Sequence, residues 1–189
     1  MPEWTPPSRE QRQAADVMTD AVLSAIKQNG GIHAETAIAA AARLAGTFLF
    51  RSFHLSDIHA RPGDVVLSEM ANDAGPALIQ TLGVGLDAMN VNLDESWSMS
   101  ETPDENQPQL DIISMQTILE PELREVARDF GLNDDQAAHA CTLTAARIIQ
   151  MTSSVLDVNI GFGIATMGLI EGSKTMPPPL STNPETKPS

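Results

Sequence analysis

The longest apolar stretch of the sequence covers residues 34–50 and sets the strongest limit on the fold. Only two of its 17 residues, Glu35 and Arg43, carry a charge. A helix that is apolar on all sides must be surrounded by other elements, and about 20 apolar residues are needed to cross a bilayer. We therefore predict a helix over residues 34–53 in the centre of a helical bundle.

Helices with recognisable ends are predicted on both sides of this central helix. Ser8 and Gln11 form the pattern of a capping box, and the helical spacing after them continues to Gly30 and Gly31, where a left-handed residue can end a helix. Residues 110–119 fit either a helix or a short strand. The chain is therefore predicted to be all-α, a single-domain bundle of five to seven helices. The other predicted helices cover residues 64–71, 76–90, 121–130, 133–155 and 157–171.

The two halves of the sequence resemble each other. Each has an amphipathic helix that ends in glycine, followed by an alanine-rich helix containing Ala-Ala-Arg, with Arg43 in the first half and Arg147 in the second. The distance from the glycine to the arginine differs by about one helical turn between the halves. One interpretation is a pair of αα-hairpins joined by an acidic loop, although helical sequence patterns alone produce the same likeness.

Proline marks both ends of the predicted domain. Residues 1–7 contain three prolines and residues 176–189 contain five, so both segments are expected to be extended or disordered. The helical domain is predicted to cover residues 8–175. Inside it, residues 92–108 are polar and acidic and are expected to form a loop.

Acidic residues are concentrated in the middle third of the chain. The whole sequence has 25 acidic and 11 basic residues and a formal net charge of −14. Between residues 57 and 111 there are eleven acidic residues and one basic residue, Arg61, so ten of the fourteen excess negative charges fall there. Binding to nucleic-acid phosphates or to an anionic membrane needs clustered Lys and Arg, so neither is predicted as a partner.

The acidic loop is the predicted interaction site. A concentrated negative charge attracts a positively charged surface, so the expected partner is a basic protein. The alternative is that these charges only keep the loop solvated. The predicted interaction residues are Asp94, Glu95, Trp97, Glu101, Asp104 and Glu105.

A divalent metal site is predicted as the alternative. His54, Asp57 and His59 lie within six residues at the end of the central helix, and imidazole and carboxylate ligands suit transition metals. The other interpretation of the histidines is a favourable position near a helix C-terminus. Residues 90–101 have the oxygen spacing of a calcium loop, but Glu95 stands where that loop needs glycine. No other cofactor is predicted.

Cysteine usage and the N-terminus limit the remaining classes of protein. Cys141 is the single cysteine, which excludes an internal disulfide and a CxxC zinc site. It lies on the inward stripe of a predicted helix, so we expect it to behave as a small hydrophobic residue. The first residues lack the pattern of a secretory signal, so a cytoplasmic location is predicted.

The predicted function is non-enzymatic protein binding, because negative charge is concentrated beside a helical core and the sequence contains no complete set of catalytic residues. An inhibitor, an immunity-type protein or an adaptor would fit a helical core with an acidic middle third. The alternative is a helical-bundle enzyme or a ligand-binding protein with its site near His54, Asp57 and His59.

Small and charged residues inside the apolar helices predict two packing features. Glycines at 161, 168 and 172 would let the last helix approach another helix closely, within the subunit or across a homodimer. Arg43 and Arg147 interrupt apolar helices and are expected to pair with buried carboxylates such as Glu35 or Asp157, because a buried arginine without a partner is costly. The alternative is that they bind a ligand anion.

Overall fold

The chain folds into six α-helices in the part that the computed structural model describes, which is residues 4–28, 30–55, 59–94 and 103–180. One 3-10 turn, Asp104–Asn106, lies between the third and fourth helices. The prediction of an all-α bundle of five to seven helices is confirmed. Within the described ranges, every helix is too short or too polar to reach across a bilayer. The helices are α1 (Arg9–Ile26), α2 (Ala34–Ser52), α3 (Glu69–Ala88), α4 (Ile112–Asp129), α5 (Asp134–Thr152) and α6 (Val158–Lys174).

Side-chain caps begin the helices. Gln11 donates its backbone N–H to Ser8 Oγ at 3.2 Å, and Ser8 donates its backbone N–H to Gln11 Oε1 at 2.7 Å, so the predicted capping box is present. Asn133 and Gln136 form the same pair of bonds at the start of α5. Beyond the end of α1, Gly30 has a φ of 82°, which glycine adopts without strain.

Pro76 and Pro121 lie inside helices, so the prediction that each one starts a helix is wrong. Pro76 is within α3, and Pro121 is within α4, which also covers residues 112–119 of the segment that fits either a helix or a strand. Each proline removes the hydrogen bond to the carbonyl four residues earlier, at Asn72 and Thr117. All four residues are exposed, so water can hydrate the released carbonyls and the helices continue.

Helix α2 lies in the centre of the bundle, as its sequence predicts. It contacts each of the other five helices, most extensively α5 and α6. The run from Ala37 to Ala42 is completely buried, and so are Leu44 and, one turn after it, Phe48. Because the small side chains occupy little space, neighbouring helices can approach α2 on all sides.

Glycines allow the backbones of α2 and α6 to touch. A Cβ atom on Gly46 would lie 2.6 Å from the backbone nitrogen of Ser173, and one on Gly172 would lie 3.0 Å from the Cα of Gly46. A Cβ on Gly168 would lie 2.9 Å from that of Ala42. The predicted close approach of the last helix is confirmed, and it occurs within the subunit, so this face of α6 is covered by α2.

Packing does not follow the two predicted hairpins. Helix α1 packs more extensively on α5 than on α2, and α4 packs more extensively on α1 and α2 than on α5. The helices of the two halves are therefore interleaved around α2.

The C-terminal segment returns across the bundle after α6. Gly63 donates its N–H to the carbonyl of Met176 at 2.9 Å, and Met176 donates its N–H to the carbonyl of Asp64 at 2.9 Å. Residues 176–180 then form neither helix nor strand, and their three consecutive prolines favour an extended backbone. We call these five residues the C-terminal strap. The rest of the predicted proline-rich tail, residues 181–189, lies outside the described residues, as do residues 1–3.

Candidate functional site

The predicted interaction residues of the acidic loop are described only in part. Asp94 and Glu105 are exposed, and the backbone N–H of Asp94 donates to Asn159 Oδ1 at 2.9 Å, which holds the start of the loop against α6. Asp104 begins the 3-10 turn. The interaction site in this loop stays a prediction. Glu95, Trp97 and Glu101 lie outside the described residues.

Two other carboxylates of the middle third have local structural roles. Asp111 caps α4, where its carboxylate accepts the Ser114 N–H at 2.9 Å and the Ser114 hydroxyl at 2.7 Å. These two bonds favour the ionised form and lower the pKa of Asp111. Asp64 accepts the Arg61 N–H at 2.8 Å and closes a turn. These local roles explain part of the negative charge of the middle third without any need for a binding partner.

Three acidic residues form one exposed stripe on α3. Glu69, Asp73 and Asp87 are exposed, and their spacing of 4 and 14 positions places them on the same side of the helix. The opposite side of α3 is buried in the bundle. The helix contains no Lys, Arg or His, and none of the three carboxylates forms an ion pair with another described residue. We call these three residues the acidic face.

Both predicted histidine ligands line one cleft. His54 and His59 border a cleft of about 570 Å³ between the end of α2, the start of α5 and the C-terminal strap. His54 has a left-handed φ of 46° directly after α2, a conformation in which histidine is over-represented. Asp57 lies outside the described residues, and no group of three metal-ligating side chains occurs in the ranges that the structure covers.

A buried ionic cluster lies beside this cleft, and two of its members, Arg51 and Asp134, also line the cleft. Glu120 on α4 is almost completely buried, and its carboxylate binds Arg51 of α2 and Arg124 of its own helix, with distances of 2.8 Å to Arg51 Nη2 and 3.1 Å to Arg124 Nη2. Arg124 Nη1 also binds Asp134 Oδ1 at 2.7 Å. Arg51 Nη2 donates to the carbonyl of Pro178 at 2.7 Å. The cluster therefore ties α2, α4, α5 and the strap together.

A pattern in the sequence of α4 indicates this cluster, although the cluster is not among the sites predicted above. The buried stripe of α4 includes Leu119, Leu123 and Ala127, and the same stripe also includes Gln116 and Glu120. Polar residues at inward-facing positions of an amphipathic helix need buried partners. Their presence marks α4 as the helix that carries a buried polar site.

Arg43 and Arg147 are paired, although the predicted partners are wrong. Arg43 Nε binds Glu171 Oε2 at 2.6 Å, and Arg147 Nη2 binds Asp16 Oδ1 at 2.5 Å. Glu171 reaches Arg43 because α6 crosses α2 closely at this level. Glu35 instead accepts a bond from Asn106 Nδ2 at 2.9 Å. Asp157, the other predicted partner, caps α6.

Cys141 and His139 also form contacts inside the bundle. Cys141 is fully buried with its Sγ 3.5 Å from Met18 Sδ, and burial raises its pKa far above the ordinary range. His139 Nδ1 lies 2.8 Å from Thr81 Oγ1, which also accepts the indole N–H of Trp4 at 3.1 Å. Burial lowers the pKa of His139, so its neutral form is favoured. Cys141 is therefore packed in the core as a small hydrophobic residue, as predicted.

Comparison of this chain with models of known protein families, with curated proteins and with solved structures finds no match.

Proposed function

We propose that the protein binds a basic protein surface through the acidic face of α3. The observation that carries the proposal is that Glu69, Asp73 and Asp87 share one exposed stripe of a helix that has no positive charge of its own. Val84 is also exposed on this stripe, one turn before Asp87, and offers an apolar contact beside the carboxylates. Complementary charge would steer a basic partner to this face and make binding sensitive to salt.

Charge reversal on α3 is expected to abolish partner capture, whereas the same change on α4 is not. The test variant combines Asp73→Lys and Asp87→Lys, and the control combines Glu122→Lys and Asp129→Lys. All four residues are exposed, both pairs change the net charge by the same amount, and each pair has one residue in the last turn of its helix. Glu69 is left unchanged because a lysine in the first turn would oppose the helix dipole.

The measurement is a pull-down from cell extract at low and high salt with wild type and both variants. Wild type and the α4 variant should retain the same basic protein at low salt and lose it at high salt, and the α3 variant should not retain it. Equal capture by both variants, or capture that salt does not affect, would contradict the proposal.

A second candidate function is metal binding in the cleft that His54 and His59 border. The observation in its favour is that both imidazoles line the same cleft beside Asp134. Zinc titrated into the full chain should release heat beyond that of dilution, and His54→Asn or His59→Asn should each remove it. Asparagine tolerates the left-handed backbone of position 54. His139→Gln changes a histidine of α5 that contacts Thr81 of α3 and does not line this cleft, so it should leave the heat unchanged. Absence of heat in wild type would contradict this candidate.

A further inference from the structure

The central helix α2 begins with a cap that differs from the caps of the other described helices. Its cap is an imidazole, since His33 Nδ1 accepts the backbone N–H of Thr36 at 3.3 Å. Histidine gains its charge between pH 5 and 8, so the start of α2 depends on an acceptor that titrates near neutral pH. The other five described α-helices have side-chain oxygens as acceptors, from Ser8, Ser68, Asp111, Asn133 and Asp157.

The bonds around His33 determine which ring nitrogen carries the hydrogen in its neutral form. The Thr36 N–H can bond to Nδ1 only if Nδ1 has a free lone pair. Gln109 donates its backbone N–H to Thr36 Oγ1 at 2.9 Å, and the same oxygen lies 2.8 Å from Nδ1, so the Thr36 hydroxyl is oriented to donate to Nδ1 as well. Neutral His33 therefore carries its hydrogen on Nε2.

Glu35 is the charged group that faces the other side of the ring. Its Oε2 lies 3.4 Å from His33 Nε2, and its Oε1 accepts from Asn106 Nδ2 at 2.9 Å. The His33 side chain is 32 % exposed and borders a cleft of about 320 Å³, through which water and protons reach the ring. The residues that line this cleft from the end of α1, from the turn before α2 and from the segment before α4 are uncharged: Ile26, Gln28, Gly31, Ile32, Gln109 and Leu110.

Protonation of His33 is incompatible with its role as a cap. Because Nε2 already carries a hydrogen, the added proton must bind Nδ1. The new N–H group would then face the backbone N–H of Thr36, and two donors cannot form a hydrogen bond. The positive charge would also lie at the N-terminus of α2, where the helix dipole is unfavourable to it. The imidazolium can keep its contact with Glu35 while its Nδ1 side turns into the cleft.

We propose that His33 is an acid-sensitive cap, which holds the first turn of α2 when its imidazole is neutral and releases that turn when the imidazole is protonated. The stabilisation from the cap is present at pH 8 and is lost as the pH falls towards 5. Residues 106–109 are bound to the same turn through Glu35 and Thr36, so its release also loosens the segment directly after the exposed Glu105. This switch does not depend on the acidic face of α3.

Amide hydrogen exchange of the full chain, measured by NMR at pH 8 and pH 5, tests this proposal. Protection factors are compared, because they correct for the intrinsic effect of pH on exchange. The Thr36 amide should be about fivefold less protected at pH 5, as the loss of one helix cap predicts. The Gln136 amide is the internal control, because it donates at 2.8 Å to the cap oxygen of Asn133, which does not titrate, and its protection should be unchanged.

The variant His33→Asn separates titration of the ring from other effects of pH. Asparagine is a preferred cap and does not titrate, so the Thr36 amide of this variant should be equally protected at both pH values. If the variant fails to fold, the ring nitrogens of wild type remain decisive, because long-range ¹H–¹⁵N spectra at pH 8 should show the His33 hydrogen on Nε2. Equal protection of Thr36 at both pH values in wild type, the same decrease in His33→Asn, an equal decrease at Gln136, or a hydrogen on Nδ1 at pH 8 would overturn the proposal.

Discussion

Replacement of Gly172 by alanine is expected to lower the free energy of unfolding by about 3 kcal/mol or more. The added methyl group would overlap the backbone carbonyl of Arg43 and lie 3.0 Å from the Cα of Gly46. These are backbone atoms of α2, the helix that contacts all the others, so they cannot move aside as a flexible side chain would. The higher helix propensity of alanine would offset only about 1 kcal/mol of this cost.

Gly83→Ala is the matched control for this prediction. Gly83 lies in the interior of α3, and a Cβ atom there would have no neighbour within 4 Å. This substitution should raise the free energy of unfolding by about 0.5–1 kcal/mol, because alanine loses less backbone entropy in a helix. Urea unfolding of both variants provides the comparison. A cost below about 1 kcal/mol for Gly172→Ala would mean that α2 and α6 can separate without loss of the core.

The sequence predicts those parts of the fold that depend on residues close together along the chain. The capping box at Ser8, the apolar helix over residues 34–53 and the glycines of the last helix are all local patterns, and each has its expected structural role. The interruptions at Pro76 and Pro121 were predicted wrongly, because their effect depends on whether the released carbonyl faces solvent. That orientation is set by how the helix packs in the bundle.

The buried polar contacts of α4 depend on pairs of residues that are distant along the chain. Glu120 is 69 residues from Arg51, and Gln116 is 69 residues from Thr47. A single sequence shows that α4 carries polar residues on its inward stripe, but it does not show which helix supplies their partners. For the same reason the sequence suggests a nearby carboxylate for Arg43, whereas its partner Glu171 is 128 residues away.

Glu120→Ala is expected to lower the free energy of unfolding by about 3–5 kcal/mol. The Glu120 side chain is 4 % exposed and lies between two arginines that are themselves mostly buried. After its removal, Arg51 would keep only the carbonyl of Pro178, and Arg124 would keep Asp134. Arg51 would then be a desolvated positive charge without a carboxylate partner, and this loss of compensation is what makes breaking a buried pair expensive.

An exposed pair in the same protein shows how much of that cost comes from burial. Asp16 and Arg147 form an ion pair in which the side chains are 55 % and 39 % exposed, so Asp16→Ala should cost less than about 1 kcal/mol. The double variant Arg51→Met, Glu120→Leu should recover part of the stability lost in Glu120→Ala, because it removes the uncompensated charge together with the carboxylate. Urea unfolding measures all three. If Glu120→Ala lowers the free energy of unfolding no more than Asp16→Ala does, the ionic cluster is solvated. A desolvated charge then does not hold the strap against α4.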